Sequence, residues 1–300
     1  MKVLIIGYGS IGKRHAFLLS KIKKISEIKI YTKQKIKSYN TINNKKEIMK
    51  YKPNYVVISN ETQYHYSFLL FFEKNFKKIS ILVEKPLFHK FQSFNFKNNY
   101  VYIGYNLRFH PLITLLKKII YRRKIWSINV ITGSYLPNWK KNINYKNTYS
   151  AKKYSGGVLL DLSHEIDYLY WLFGDFKPLF VLYNKISNLK IESKDNLILT
   201  ARGKNKLSIQ LHLNYFFKIP MRQIIIEGNN LTVNVDLINN KLKVIDKKNY
   251  KNYQLKKYDI NLMYKKQHLE IIDNKIKNIC TFHEGKKVMN IIDKIIKFVS

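Results

Sequence analysis

The chain has one cysteine, Cys280, among 300 residues. That excludes an internal disulfide and a cysteine-based zinc cluster, agrees with a reducing compartment, and leaves buried packing as the default role of the thiol. Also missing is any run of the roughly eighteen unbroken apolar residues that a membrane helix needs. The greasiest stretch, Ser67 to Phe72, ends at once in charge. The opening, Met1-Lys2 and apolar residues up to Gly7, is too short for a secretory core and reads as a first strand. These absences predict a cytoplasmic protein with no membrane partner. No internal repeat and no low-complexity linker marks a hinge.

Acid is scarce as well: 19 Asp and Glu stand against 55 Lys and Arg, a formal net charge of +36. Such a balance raises the possibility of a polyanion partner, nucleic acid above all. The lysines, however, are spread along the whole chain, with no basic tail or arginine-rich block. They accompany abundant Asn, Ile, Tyr and Phe, as a genome rich in A and T would produce. No base-stacking or groove-reading motif goes with them, so no nucleic-acid partner is expected. The charge does favour anionic ligands such as NADP or a nucleotide sugar.

The composition is 46% hydrophobic, enough for a substantial core. In the first third, short apolar runs alternate with helical patterns, the signature of a parallel sheet wrapped by helices. Lys2 to Ile6, Glu27 to Tyr31, Tyr55 to Ser59, Ile79 to Val83 and Tyr100 to Gly104 read as strands, and Ile11 to Lys24 as a helix. Beyond about Tyr105 the pattern changes. Leu112 to Tyr121 reads as a helix, Trp126 to Tyr135 as a strand, and Leu159 to Phe173 as one apolar helix ended by Gly174. Leu207, Ile209, Leu211 and Leu213 alternate with polar residues, as do Leu231, Val233, Val235 and Leu237, which is the period of half-buried antiparallel strands. Gly228-Asn229-Asn230 and Asn239-Asn240 supply turns. His283 to Val299 closes the chain as an amphipathic helix. The expected architecture is α/β plus α+β: a Rossmann domain with a parallel sheet over residues 1–105, then a domain over 106–300 with a large, mostly antiparallel open sheet, onto whose partner the last helix can fold back.

Gly7-Tyr8-Gly9-Ser10-Ile11-Gly12 follows a strand and opens a helix, the context in which this motif binds a dinucleotide. The first glycine permits the turn and the second lets backbone N–H groups approach a pyrophosphate. The third lets the helix lie close to the strand, while the helix N-terminus adds partial positive charge. A bare glycine turn is the bland alternative. At the end of the second strand an acid would bind the adenosine ribose, but the residues are Tyr31-Thr32-Lys33-Gln34, and no carboxylate occurs between Glu27 and Glu47. This predicts NADP over NAD, with Lys33 and Arg14 as phosphate partners.

Several segments resemble the glucose-fructose oxidoreductase / inositol dehydrogenase / MocA (Gfo/Idh/MocA) family. They are the glycine loop running on through Lys13-Arg14-His15; Ser59-Asn60-Glu61-Thr62 with His65; Glu84-Lys85-Pro86; Gly104-Tyr105-Asn106-Leu107-Arg108-Phe109-His110-Pro111; Tyr135-Leu136-Pro137-Asn138-Trp139; and Gly156-Gly157 through Asp161-Leu162-Ser163-His164 to Gly174. The resemblance implies an active site in a cleft between the two domains and a homo-oligomer formed on the open sheet. It adds Thr32, Asn60, Thr62, His65, Glu84 and Lys85 to the cofactor contacts, beside Gly7, Gly9, Ser10, Ile11 and Gly12. It makes Lys85 and His164 the catalytic pair with Asp161 as their partner, and Asn106, Arg108, Tyr145 and His164 the substrate contacts. The family usually has Asp-x-x-x-His, and the shorter Asp161-to-His164 spacing resembles members of surface-polysaccharide sugar pathways.

The chemistry fits these residue types. Hydride transfer from a secondary alcohol needs a base near neutral pKa, which suits His164, and a donor for the developing oxyanion, which suits Lys85. Asp161 or Asp167 would orient His164, Asp167 being otherwise an ordinary surface acid. Trp139 and Tyr145 are candidates for stacking on a sugar or for packing. His15, His65, His89 and His283 show no metal-ligand spacing, so no metal is expected. The reading from another class is a cofactor-binding redox sensor without turnover, and retention of both Lys85 and His164 argues against it.

Overall fold

A computed structural model describes residues 1–153 and 156–299. In chain order the elements begin with β1 (Lys2–Ile6), α1 (Ser10–Leu19), β2 (Glu27–Tyr31), β3 (Asn40–Ile42), α2 (Lys45–Tyr51), β4 (Tyr55–Ile58), α3 (His65–Asn75), β5 (Ser80–Val83) and β6 (Tyr100–Ile103). Next come α4 (Pro111–Ile120), β7 (Ile125–Gly133), α5 (Val158–Asp161), α6 (His164–Phe173), β8 (Lys177–Asn184), β9 (Asn196–Arg202), β10 (Ser208–Asn214), β11 (Met221–Gly228), β12 (Leu231–Asp236), β13 (Lys241–Asp246) and β14 (Asn249–Gln254). The chain ends with α7 (Asn261–Ile272), β15 (Cys280–Thr281) and α8 (Phe282–Phe298). Among the described residues no helix is long and apolar enough to cross a membrane.

Two compact units result, Met1–Phe109 with Ile260–Lys286, and His110–Asp259 with Lys287–Ser300. The first holds a seven-stranded sheet in the order β15-β6-β5-β4-β1-β2-β3, parallel except for the two-residue edge strand β15. Its central strands read as continuous apolar runs because both faces are covered: Val3 to Ile6 and Tyr55 to Ile58 are all buried. A sequence boundary near residue 105 does not foresee that residues 260–286 join this unit. They do so because α7 packs on α1 and on the turn at 106–109, while β15 pairs with β6. Local chemistry sets the helix starts. Asn44 caps α2, accepting from the Glu47 N–H at 3.0 Å, and Glu47 accepts from the Asn43 N–H. Pro111 opens α4, where Nδ1 of His110 accepts from the Leu112 N–H at 3.2 Å.

The second unit is an eight-stranded sheet, β14-β13-β12-β11-β7-β10-β9-β8, antiparallel but for the β7–β10 pair. Register explains its two faces. Val181, Leu199, Leu211, Val130, Ile224, Val235 and Leu242 form one cross-strand row, all buried. One residue along, Leu182, Ile198, His212, Ile131, Gln223, Asp236 and Lys241 form the row on the opposite face, where Leu182 and Ile198 are exposed. The single helix expected over Leu159 to Phe173 is instead two, α5 and α6. Leu162 leaves helical geometry (φ −98°, ψ 29°) between two anchored carboxylates, Asp161 held by Tyr215 and Glu165 held by Arg222.

Candidate active site

Strand register assembles the site in the first unit. Ile6 pairs with Tyr31 and with Ile58, Ile58 with Val83, and Val83 with Ile103. The residues that follow, Gly104, Glu84, Ser59, Gly7 and Thr32, therefore leave the carboxyl end of one sheet side by side, which is where open α/β sheets bind ligands.

Gly7 turns with φ +91°, and a β-carbon there would lie 2.8 Å from the backbone of Asn60. A β-carbon on Gly12 would collide with the carbonyl oxygen of Gly7, whereas Gly9 faces open space. Helix α1 starts at Ser10 without a side-chain cap and without an acid in its first turn, so its leading N–H groups and positive dipole end are left for a ligand. Oδ1 of Asn60 is buried and has no hydrogen-bond partner. An uncapped helix start, an open glycine and an orphaned buried acceptor fit a dinucleotide phosphate and ribose. Gly7, Gly9, Ser10, Ile11, Gly12, Thr32 and Asn60 would hold it. Thr32 braces the turn after β2 by accepting from the Gln34 N–H, with Lys33 exposed beside it. Thr62 stands half-buried just after Asn60. Two expected cofactor contacts are otherwise engaged. Arg14 lies over the Tyr264 ring, 5.1 Å from its centroid. His65 is buried with its ring nitrogens 3.2 Å from the carbonyls of Pro86, Leu87 and Asn60, so it pins the Asn60 loop to the turn after Lys85 instead of facing outward.

Glu84 and Lys85 leave β5 ahead of a cis Lys85–Pro86 bond. Oε2 of Glu84 accepts from the Lys85 backbone N–H at 3.3 Å, and a β-carbon on Gly104 would sit 2.7 Å from Oε1, so only glycine leaves room for the carboxylate. Oε1 also meets Nε2 of His15 at 3.0 Å; Nδ1 of His15 meets Nε2 of His268 at 2.8 Å; Nδ1 of His268 meets the Tyr55 hydroxyl at 2.7 Å. With Glu84 a carboxylate, one set of protons satisfies every atom. Tyr55 O–H donates to His268, His268 Nε2–H donates to His15, and His15 Nε2–H donates to Glu84. Reversing the chain would leave the Tyr55 hydroxyl proton without an acceptor, at a cost of about 1–3 kcal/mol for a buried donor. Burial and the neighbouring His15 ring push the pKa of His268 well down, in keeping with a neutral ring.

In the second unit His164 is the first residue of α6. Asp161 is 5% exposed and accepts from the Tyr215 hydroxyl, and the Tyr215 ring meets Trp139 edge-on at 5.2 Å. Burial first, and then the Asp161 charge, hold the Tyr215 phenol protonated by raising its pKa far above the ordinary value. Trp139 and Tyr145 line one pocket with Leu136, Pro137 and Ser150. The Tyr145 hydroxyl accepts from the Lys190 N–H at 3.3 Å. Asp167 is fully buried, which corrects its reading as a surface acid. Glu165, also fully buried, takes Arg222 Nε at 2.7 Å and Thr132 Oγ1 at 3.2 Å on the same oxygen. Among the described residues no group of three or more His, Cys, Asp or Glu could hold a metal.

The description "Oxidoreductase family, NAD-binding Rossmann fold" matches residues 1–95, and "Oxidoreductase family, C-terminal alpha/beta domain" matches residues 117–297. The chain belongs to the Gfo/Idh/MocA oxidoreductase family. No curated protein matches it in sequence. Solved structures share the fold at low identity. UDP-N-acetylglucosamine 3-dehydrogenase GnnA from Acidithiobacillus ferrooxidans is 17% identical with a TM-score of 0.79, the match covering 98% of this chain and 96% of that one. Levoglucosan dehydrogenase in complex with NADH is 15% identical with a TM-score of 0.84, over 99% and 96%. The WlbA dehydrogenase from Bordetella pertussis, in complex with NADH and UDP-GlcNAcA, is 14% identical with a TM-score of 0.77, over 99% and 95%.

For this Gfo/Idh/MocA chain, Asn106 and Arg108, expected at the substrate, both lie buried in the first unit. Asn106 hydrogen-bonds Tyr264. Arg108 has no exposed side-chain surface and pairs with Glu284 at 2.9 Å, so its guanidinium ties the crossover to the start of α8 instead of facing a ligand. Sequence reasoning missed Tyr215, Arg222, His268 and Tyr55. All four are joined to the motifs by contacts that no local pattern reveals.

Proposed function

We propose that the chain is a dehydrogenase or reductase moving hydride between a nicotinamide and a secondary alcohol or ketone of a sugar, in surface-polysaccharide sugar metabolism, with NADP preferred over NAD. The observation that carries this reading is the alignment of Gly7, Thr32, Ser59, Glu84 and Gly104 at one sheet end, which puts the phosphate cradle and the Glu84-Lys85 segment on the same edge. When bound, the nicotinamide accepts or returns the hydride. In the oxidation direction the carbinol C–H bond breaks, its hydrogen departing with the electron pair, and the hydroxyl proton would pass to the imidazole of His164. Lys85 donates to that oxygen as negative charge develops on it. Asp161, fixed by Tyr215, orients His164.

Support for NADP comes from Thr32-Lys33-Gln34, where Lys33 replaces the expected acid. A nucleotide-linked sugar suits the net charge of +36 and the UDP-sugars that the names of two structural neighbours contain. Homo-oligomer formation suits the open sheet face, where Leu182 and Ile198 are exposed.

The test combines cofactor titration by fluorescence with an absorbance screen of UDP-N-acetylglucosamine, its uronic acid, levoglucosan and free hexoses. We expect tighter binding of NADP than NAD, and turnover that falls by about 10²-fold or more in Lys85→Ala and in His164→Ala. Equal affinities would remove the NADP preference, full turnover in either variant would remove that residue from catalysis, and a monomer by sedimentation would remove the assembly.

A further inference from the structure

Glu84, His15, His268 and Tyr55 come from four elements and join in one buried line, yet the reaction as proposed uses none of them directly. The line begins at the Tyr55 hydroxyl, in a residue with no exposed surface, so it has no outlet for carrying protons to solvent. It ends on a carboxylate that fills the space left by Gly104 and grips the backbone N–H of Lys85. His15 stands three residues past Gly12 on the helix that opens at the glycine loop, so the same ring connects the cofactor helix to the segment bearing Lys85.

We propose that His15 is a positioning residue for Lys85: by donating from Nε2 it fixes the Glu84 carboxylate, which in turn fixes the Lys85 main chain, with His268 and Tyr55 holding the His15 ring in the donating tautomer. The proposal rests on the assignment of Lys85 as a catalytic group. Each link is a directional contact of 3.3 Å or less, and every ring nitrogen in the line has one partner of the right kind. Tyr264 packs against His15 with its ring edge-on at 5.5 Å and Arg14 above it, and His15 has no exposed surface.

Two substitutions separate positioning from packing. In His15→Gln the side-chain amide reaches the place of Nε2 and still donates to Glu84. In His15→Asn it reaches only the place of Nδ1, keeping His268 and losing Glu84. Both break one link, so both should melt at similar temperatures. With the sugar found in the screen, we expect kcat to fall about tenfold or more in His15→Asn, with the cofactor KM within about threefold, and most of kcat to return in His15→Gln. Without any substrate, hydrogen exchange at the Lys85 amide should accelerate by about tenfold or more in His15→Asn and stay near wild type in His15→Gln. Nitrogen-15 spectra of labelled histidine should show both rings neutral with the proton on Nε2. Equal losses in the two variants, unchanged exchange at Lys85, or a proton on Nδ1 of His268 would each overturn the proposal. A wild-type protein that reduces or oxidises no sugar would instead refute the enzyme reading, while the Lys85 amide still decides the relay.

Discussion

Glu84, next to Lys85, and Glu165, next to His164, are two sequestered carboxylates held in different ways. Glu84 is 12% exposed on its side chain and is held by a line of imidazoles and a phenol, dipoles that carry no net charge in the arrangement that satisfies them all. Glu165 has no exposure and is held by the guanidinium of Arg222. The difference follows from the neighbours. Glu84 keeps some contact with solvent, so neutral donors are enough to hold its charge. Around α6 the acids Asp161, Glu165 and Asp167 are all buried, and Glu165, with no contact to solvent, meets the full positive charge of Arg222.

The largest effect comes from breaking the charged side of this comparison. Arg222→Met leaves Glu165 buried and unpaired, and should lower unfolding stability by about 3–5 kcal/mol, read as a shift of the urea midpoint. The double variant Arg222→Met with Glu165→Gln should recover most of that loss. If the single variant costs under about 1 kcal/mol, water or another cation replaces the guanidinium and the contrast with Glu84 disappears.

How much of this could be read beforehand depends on the distance over which each contact acts. The strands β1, β2, β4, β5 and β6 were legible because their apolar runs end at glycines or polar turns within a few residues. The three-residue Asn40–Ile42 strand is too short and too polar to announce itself. Helix α7 hides because Gln267 and His268 lie on its buried side, which blurs the apolar period. The glycine loop with His15, Lys85 and His164 stood in recognisable motifs, but the contacts that support them did not: His15 and His268 are 253 positions apart, and Arg108 finds Glu284 across 176. The motif points Arg108 and Asn106 at a substrate, whereas burial in the fold decides their partners.

Acid should widen the gap between the two regions. Burial, with Arg222 adding to it, lowers the pKa of His110 in the second unit to about 4, against a hydrogen bond with Asn240 that raises it. The unfolded ring titrates near 6.5, so the folded state binds fewer protons below that pH. Stability from this group is therefore whole above pH 6.5 and drains as pH falls towards 4, a loss on the order of 3 kcal/mol. His110→Asn keeps a capping acceptor for the Leu112 N–H and removes the titration. Urea unfolding at pH 7.5 and 4.5 should show the variant losing clearly less than wild type; parallel losses would clear His110.

On the neutral side, Gly104→Ala drives a β-carbon to within 2.7 Å of Glu84 Oε1 and 3.2 Å of its Cα. Overpacking of this kind costs about 1–3 kcal/mol, and here it should also displace the carboxylate from His15. Combining it with Glu84→Ala should return most of the stability, because the clash loses its far side. A Gly104→Ala protein as stable and as active as wild type would mean that the carboxylate has another resting place and that the relay does not fix it.

The smallest pair of changes compares the two supports directly by deleting one hydroxyl from each. Thr132→Val removes a 3.2 Å bond to the Glu165 oxygen that Arg222 still holds, so about 1 kcal/mol or less should be lost and hydrogen exchange around α6 should stay put. Tyr55→Phe removes the proton that the Tyr55 hydroxyl offers to Nδ1 of His268. The His268 ring is then free to move its proton from Nε2 to Nδ1, which would withdraw the donor from His15 two links away from Glu84. Its cost in stability should be similar, about 1–2 kcal/mol, but its effect should travel, appearing as faster exchange at the Lys85 amide. If Thr132→Val disturbs His164 as far as Tyr55→Phe disturbs Lys85, a guanidinium transmits a lost hydrogen bond as readily as a chain of neutral rings does, and the two modes of support are equivalent.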